Sequence, residues 1–170
     1  GSEMCIRDRT NVMRILEQKK VPYTPHEYPH GEEAVDGIGI ARLTGQDPAH
    51  VFKTLVTRGA SGAYFVFVLP VAAELDLKKA ARAVKEKSVA MIHVGELLPL
   101  TGYVRGGCSS VGMKKAFFTT FATEVTAQET ILVSAGKIGY QIEARPDDLI
   151  RLVRGQTADI TTSAEAADSL

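Results

Sequence analysis

The sequence predicts one α/β domain built on a mixed, largely antiparallel, curved sheet. Three observations predict it. Stretches with apolar residues at helical spacing are interleaved with short runs rich in β-branched and aromatic residues. The β-rich runs are joined by hairpin-length connections, and neither a repeat nor a linker divides the chain. At 170 residues, 45% apolar and 24% charged, the chain is long enough for one real core.

The elements follow in order. Thr10–Lys20 reads as a helix, capped by Thr10, with Val12, Met13 and Leu16 as its apolar stripe. Val21–Tyr28 contains Pro22 and Pro25, which restrict it to an extended edge segment. Glu32–Thr44 is a glycine-containing helix ending at Gly45, and Asp47-Pro48 opens one more short turn. Phe52–Arg58 and Ala63–Leu69, separated by Gly59–Gly62, make a hairpin. Asp76 caps a helix whose Leu77, Ala80, Ala81 and Val84 fall at i, i+3, i+4, i+7. Ser88–Ile92 reads as a strand and His93–Leu98 as a short helix stopped by Pro99. Ala116–Phe121, Ile131–Ser134 and Tyr140–Ala144 read as strands, with a polar turn or helix at Thr123–Thr130 and a tight connection at Ser134–Gly139. Pro146 opens a last helix, with Leu149, Ile150 and Val153 facing inward.

Composition excludes several classes. The formal net charge is zero, so a dedicated DNA-binding protein is not expected, and any nucleic-acid contact should be local. No apolar run reaches the length of a membrane span and no signal peptide opens the chain, so no membrane partner is expected. Residues 1–9 hold Cys5 and no periodic pattern, and read as an appended cloning or translation scar. The tail 162–170 is small and acidic and is expected to fray. Only Cys108 then remains, which excludes a disulfide framework and points to a reducing cytoplasm.

Thr101–Lys115 is the densest candidate for chemistry. Gly102, Gly106, Gly107 and Gly112 lie within it, flanked by Arg105, Lys114 and Lys115. Such a loop either cradles an anion with backbone N–H groups or solves a steric problem with its glycines. It is neither a Walker loop nor Gly-x-Gly-x-x-Gly. Lys53 is the most informative single residue. It shares a strand face with Leu55 and Thr57, whereas Phe52, Thr54 and Val56 point the other way. With both faces largely apolar, Lys53 either snorkels to water or presents a fixed charge at a cavity mouth. Cys108 reads as an apolar filler, because no Cys/His signature accompanies it. The histidines His26, His30, His50 and His93 match no metal motif, and no Cys-x-x-Cys spacing exists.

Four blocks carry a resemblance. Val51-Phe-Lys-Thr-Leu55, Leu75-Asp-Leu-Lys-Lys79, Thr101–Lys115 and Val133-Ser-Ala-Gly-Lys-Ile-Gly139 resemble, in order and at family spacing, the YbaK family. Its members are free-standing relatives of the editing domain inserted in bacterial prolyl-tRNA synthetases. The similarity runs from about Thr10 to Thr161, making 10–161 the editing domain.

The resemblance implies a barrel-like sheet wrapped by helices, and a hydrolase that deacylates mischarged tRNA without a cofactor or metal. The partner it implies is the acceptor end of a mischarged tRNA, typically Cys-tRNA(Pro), with prolyl-tRNA synthetase as a candidate second partner. Lys53, Gly106 and Gly107 fall on the implied catalytic positions. Tyr28, Thr54, Ser109, Ser110, Gly112, Ser134 and Gly136 fall on the implied substrate-binding positions. For a cysteinyl ester, the family scheme lets the substrate's own thiol attack its carbonyl and release a thiolactone, so no enzyme nucleophile is needed. Arg105, Lys114, Lys115 and Lys137 would form a local basic rim for the acceptor end. The chain departs from the family pattern at Ser110 (usually proline), Ala135 (usually glycine) and Gln141 (aspartate in some members), and has no aromatic residue near Asp36. These departures bear on amino-acid specificity more than on reaction class.

Overall fold

The first helix shows how the local rules act. In a computed structural model, which describes residues 9–29 and 37–162, Thr10 accepts the Met13 N–H at 3.2 Å and starts α1, Asn11–Gln18. Val12, Met13 and Leu16 are fully buried along its inner face. Each such side chain contributes about 1.5–3 kcal/mol relative to exposure.

Two sheets form around that core. β1 (Thr24–Glu27), β7 (Tyr140–Ala144) and β6 (Ile131–Ser134) make an antiparallel three-stranded sheet in the order β1-β7-β6. The prolines allow β1 only an edge position, as the sequence predicts. The second sheet has the order β4-β2-β3-β5-β8, from β2 (Phe52–Gly59), β3 (Tyr64–Pro70), β4 (Val89–Met91), β5 (Phe118–Ala122) and β8 (Gln156–Ala158). Pairing is antiparallel except at β3–β5 and β5–β8. Parallel neighbours need crossovers. The first runs through α3 (Leu77–Ala83), β4 and α4 (Val94–Thr101), and the second through β6, β7 and α5 (Pro146–Val153). The sheets meet at a parallel bridge between Val51 and Leu132, and the described residues form no closed barrel.

Strand parity divides the core. Phe52, Val68 and Phe121 face α1, the inner side of β6 and β7, and Leu149 of α5. Phe67 and Leu69 face the opposite way, onto Ala80 and Ala81 of α3, where Leu55 also packs. A small cluster of Ala41, Val51, Val71 and Leu132 fills the seam.

Several boundaries differ from expectation. The helix from His93 passes through Pro99 and stops at Gly102, whose φ of 87° makes the left-handed cap and whose N–H reaches the Leu98 carbonyl at 2.8 Å. Pro99 is the sixth of its eight residues, inside the helix, where its missing N–H forfeits one bond, to the Gly95 carbonyl. β5 begins at Phe118 rather than Ala116, and Thr123–Ala127 is a 3-10 turn. β8 is an element that the sequence reading lacks. The helix α2, Gly37–Thr44, ends as expected, while its expected start at Glu32 lies outside the described residues, as do the expected scar at 1–8 and the expected frayed tail from 163. Arg9, assigned to the scar, pairs with Glu17 at 3.2 Å.

Candidate active site

The site follows from an incomplete edge. β4 pairs only with Thr57–Gly59 of β2, so the β2 edge over Phe52–Val56 has no β4 partner. The seam between the sheets opens there into a cavity of about 1010 Å³. That is the upper end of the range for small-ligand sites. Because the cavity lies along the edge, it is lined by both Lys53 and Thr54, although neighbouring strand residues point to opposite faces. Tyr28, Ser134, Tyr140 and Gln141 form the wall from the three-stranded sheet. Arg105, Gly106 and Cys108 form the wall from the glycine loop, and Ile38, Ile40, Val94 and Leu97 supply an apolar side.

Lys53 is half-buried. Its ammonium donates to the Val71 carbonyl at 3.4 Å, and burial pushes its pKa below the usual lysine value, while the Glu74 charge opposes that shift. A lysine so placed is a fixed charge at the cavity rather than a snorkelling surface residue.

The loop Tyr103–Lys115 is held by its own contacts. Tyr103 donates its hydroxyl to the Val111 carbonyl, and Ser109 accepts the Val111 N–H at 3.1 Å. The Gly107 N–H is committed to the Val104 carbonyl at 3.0 Å, so it is not a free oxyanion donor. Gly107 instead permits a close approach of two loops. A Cβ there would come within 3.2 Å of the Ile138 backbone nitrogen. Gly136, at φ 90°, sits against Val12 and Tyr103 in the same way. Of the sequence-predicted residues, the structure gathers Lys53, Thr54, Tyr28, Gly106 and Ser134 around one cavity. Gly107, Ser109, Ser110, Gly112 and Gly136 do not line it, and belong to the loops that carry Gly106 and Ser134.

Cys108 lines the cavity, but burial pushes its thiol up to about 12, leaving no thiolate near neutrality. Ser134 accepts the Gly136 N–H at 3.0 Å, a turn-forming bond. Of the basic rim, Arg105 lines the cavity, and the Lys137 ammonium lies 5.3 Å above the Tyr140 ring.

The three-stranded sheet has a polar row that the sequence reading missed. His26 Nε2 lies 2.9 Å from Glu143 Oε1, and His50 Nε2 lies 3.4 Å from Oε2, which also accepts the Thr130 hydroxyl. The Thr130 bond is the largest cause holding the Glu143 carboxyl below the usual carboxylate range, and His26 and His50 act the same way. Next in the row, Gln141 pairs in register with His26 on one side and Ser134 on the other. The clue was the alternation Gln141-Ile142-Glu143-Ala144, polar on one face where the other is core.

Fold and cavity together define a class: a two-sheet α/β domain with a cavity at the seam, on which a lysine and a glycine loop converge. The chain belongs to the aminoacyl-tRNA editing domain family, whose model matches residues 33–152. It is 46% identical over 156 residues to a protein of Enterococcus faecalis named as a candidate Cys-tRNA(Pro)/Cys-tRNA(Cys) deacylase, EbsC, covering 92% of this chain and 95% of that protein. Among solved structures it is similar to a candidate trans-editing enzyme for prolyl-tRNA synthetase, with TM-score 0.76 and 22% identity over 91% of this chain and 99% of that one. It is also similar to the hypothetical protein APE2540, with TM-score 0.80 and 17% identity over 89% and 99%. These two likenesses establish the fold.

Proposed function

We propose that residues 10–161 form a free-standing editing domain that hydrolyses the aminoacyl ester of a mischarged tRNA in the cytoplasm, with Cys-tRNA(Pro) as substrate. The observation that carries the reading is the convergence of Lys53, Thr54, Gly106 and Ser134 on a cavity whose only thiol among the described residues, Cys108, is held protonated. An aminoacyl ester is already labile, so orientation and stabilisation of its developing oxyanion can supply the rate. The backbone at Gly106 and Cys108 is the candidate donor set. Lys53 offers a positive charge for the ester oxygen or the terminal phosphate, and Arg105 draws in the acceptor end.

With a cysteinyl ester the substrate provides its own nucleophile. Its sulfur loses the thiol proton and attacks its own carbonyl carbon. The ester C–O bond breaks, the departing ribose oxygen takes up a proton, and a thiolactone leaves. The similarity to EbsC supports this substrate, and the trans-editing neighbour supports prolyl-tRNA synthetase as a partner.

Purified protein incubated with Cys-, Ala- and Ser-charged tRNA(Pro), with and without prolyl-tRNA synthetase, tests the proposal. Selective loss of the cysteinyl ester is expected. Loss of the alanyl or seryl ester instead would reassign the substrate, and no loss of any ester would leave only a binding role.

A further inference from the structure

Gln141 is 4% exposed and lines the cavity, and among the described residues its Oε1 has no hydrogen-bond partner. It is the only buried side-chain oxygen or nitrogen among them in that condition. A buried acceptor without a donor is costly, and in a ligand cavity the missing donor is one that arrives with the ligand. No neighbouring donor reaches it: His26 turns to Glu143, and neither the Ser134 hydroxyl nor any other described donor hydrogen-bonds to Oε1.

Position narrows the choice of donor. Ser134 is the register partner of Gln141, and the turn that follows Ser134 packs on Gly107, beside Gly106. Gly106, Ser134 and Gln141 line the same cavity, so an ester carbonyl directed at the Gly106 backbone can turn its α-carbon towards Ser134 and Gln141. The group on that carbon that donates hydrogen bonds is the α-ammonium. We infer that Gln141 Oε1 accepts from the substrate's free α-ammonium, and that this contact closes the site to tRNA whose amino group is acylated, such as peptidyl- or N-formylaminoacyl-tRNA. This rests on the deacylase reading above. Every amino acid carries an α-ammonium, so Gln141 would sort tRNA by the state of the amine and leave the side chain to other walls. An acylated nitrogen has lost its charge and two of its three donor hydrogens and has gained bulk. A site built around a buried polar contact rejects an analogue lacking that contact strongly.

The test uses a pair of non-hydrolysable probes, 3′-deoxy-3′-(cysteinylamino)adenosine with its α-amine free or N-acetylated, alongside Cys-tRNA(Pro) and N-acetyl-Cys-tRNA(Pro). The wild-type protein should bind the free-amine probe about 10- to 100-fold more tightly than the acetylated one, the range expected for one hydrogen bond to a charged group. Gln141→Leu should lose most of that preference by weakening the free-amine probe, raise KM for Cys-tRNA(Pro) more than it lowers kcat, and melt no lower than wild type. Gln141→Glu, which keeps an acceptor, should retain the preference. Equal binding of the two probes, an undiminished preference in Gln141→Leu, or marked destabilisation of that variant would overturn the inference. The arms also separate the two readings. Amine-dependent binding without hydrolysis of any tRNA would sink the deacylase alone, and hydrolysis with amine-independent binding would sink the role of Gln141 alone.

Discussion

Lys53 places a stability cost at the cavity. Its pKa is lowered by burial, so the unfolded chain holds the proton more tightly than the folded one. The penalty is present below the folded pKa and is relieved as pH rises towards the unfolded value of about 10.4. Lys53→Met, which keeps the stem and removes the charge, should melt at or above the wild-type temperature while deacylation falls at least about 100-fold. A folded variant with near-normal turnover would show that the ammonium is dispensable. Lys53→Arg should also be slow, since a planar fork does not replace a compact ammonium. Cys108 behaves oppositely. With its thiol pushed up to about 12, Cys108→Ala should retain most of the single-turnover rate and melt slightly lower through lost packing, and a trapped acyl group on Cys108 would refute the substrate-assisted scheme.

For the glycine loop, the sequence left an anion cradle and a steric role both open. Its glycines mostly answer steric demands from α1, Tyr103 and the turn after Ser134, and only Gly106 reaches the cavity. Motif spacing cannot separate those cases, because a close approach depends on what the rest of the chain brings alongside. β8 escaped for a similar reason. Gln156 is held by the Ala83 carbonyl and the Thr120 hydroxyl, 73 and 36 residues away, and nothing local marks Gln156–Ala158 as a strand. By contrast, α1, α3 and the β2–β3 hairpin were legible, since cap, period and turn chemistry agree there. Within the loop, Ser110 has a negative φ and no hydrogen bond among the described residues. Ser110→Pro therefore forfeits no intramolecular bond, and should stabilise by roughly 0.4–1 kcal/mol and raise turnover by fixing the loop. Paired melting and single-turnover measurements decide it. A stabler but slower protein would mean that the Ser110 N–H or hydroxyl contacts substrate.

Across the domain, the candidate site depends on how two sheets are held at their seam. Glu143 ties β7 to His26 on β1 and to His50, three residues before Lys53. Its folded pKa is depressed, so its contribution is present above the unfolded value of about 4.3 and is lost as pH falls through the folded pKa. Wild type should therefore be stabler than Glu143→Gln at pH 6 and lose that advantage progressively as pH falls from about 4.3 through the depressed folded pKa. Melting curves at pH 6 and through that fall check it, and a constant gap between the two proteins would assign the stability to packing. Lys53 was legible as a candidate because a cation among Phe52, Leu55 and Val56 in a strand is conspicuous. Gln141 was not, since an unpaired acceptor becomes visible only once every neighbour's bonds are known.

The contact at Gly107 has one more implication. The loop bearing Gly106 and the turn following Ser134 touch backbone to backbone, and a Cβ at Gly107 would crowd the Ile138 nitrogen at 3.2 Å. The two cannot drift independently, so they form a single jaw opposite the β2 edge. The gape of the site is then one coordinate, the span from that jaw to Lys53, and thermal noise in either loop changes it without scrambling the groups the jaw carries.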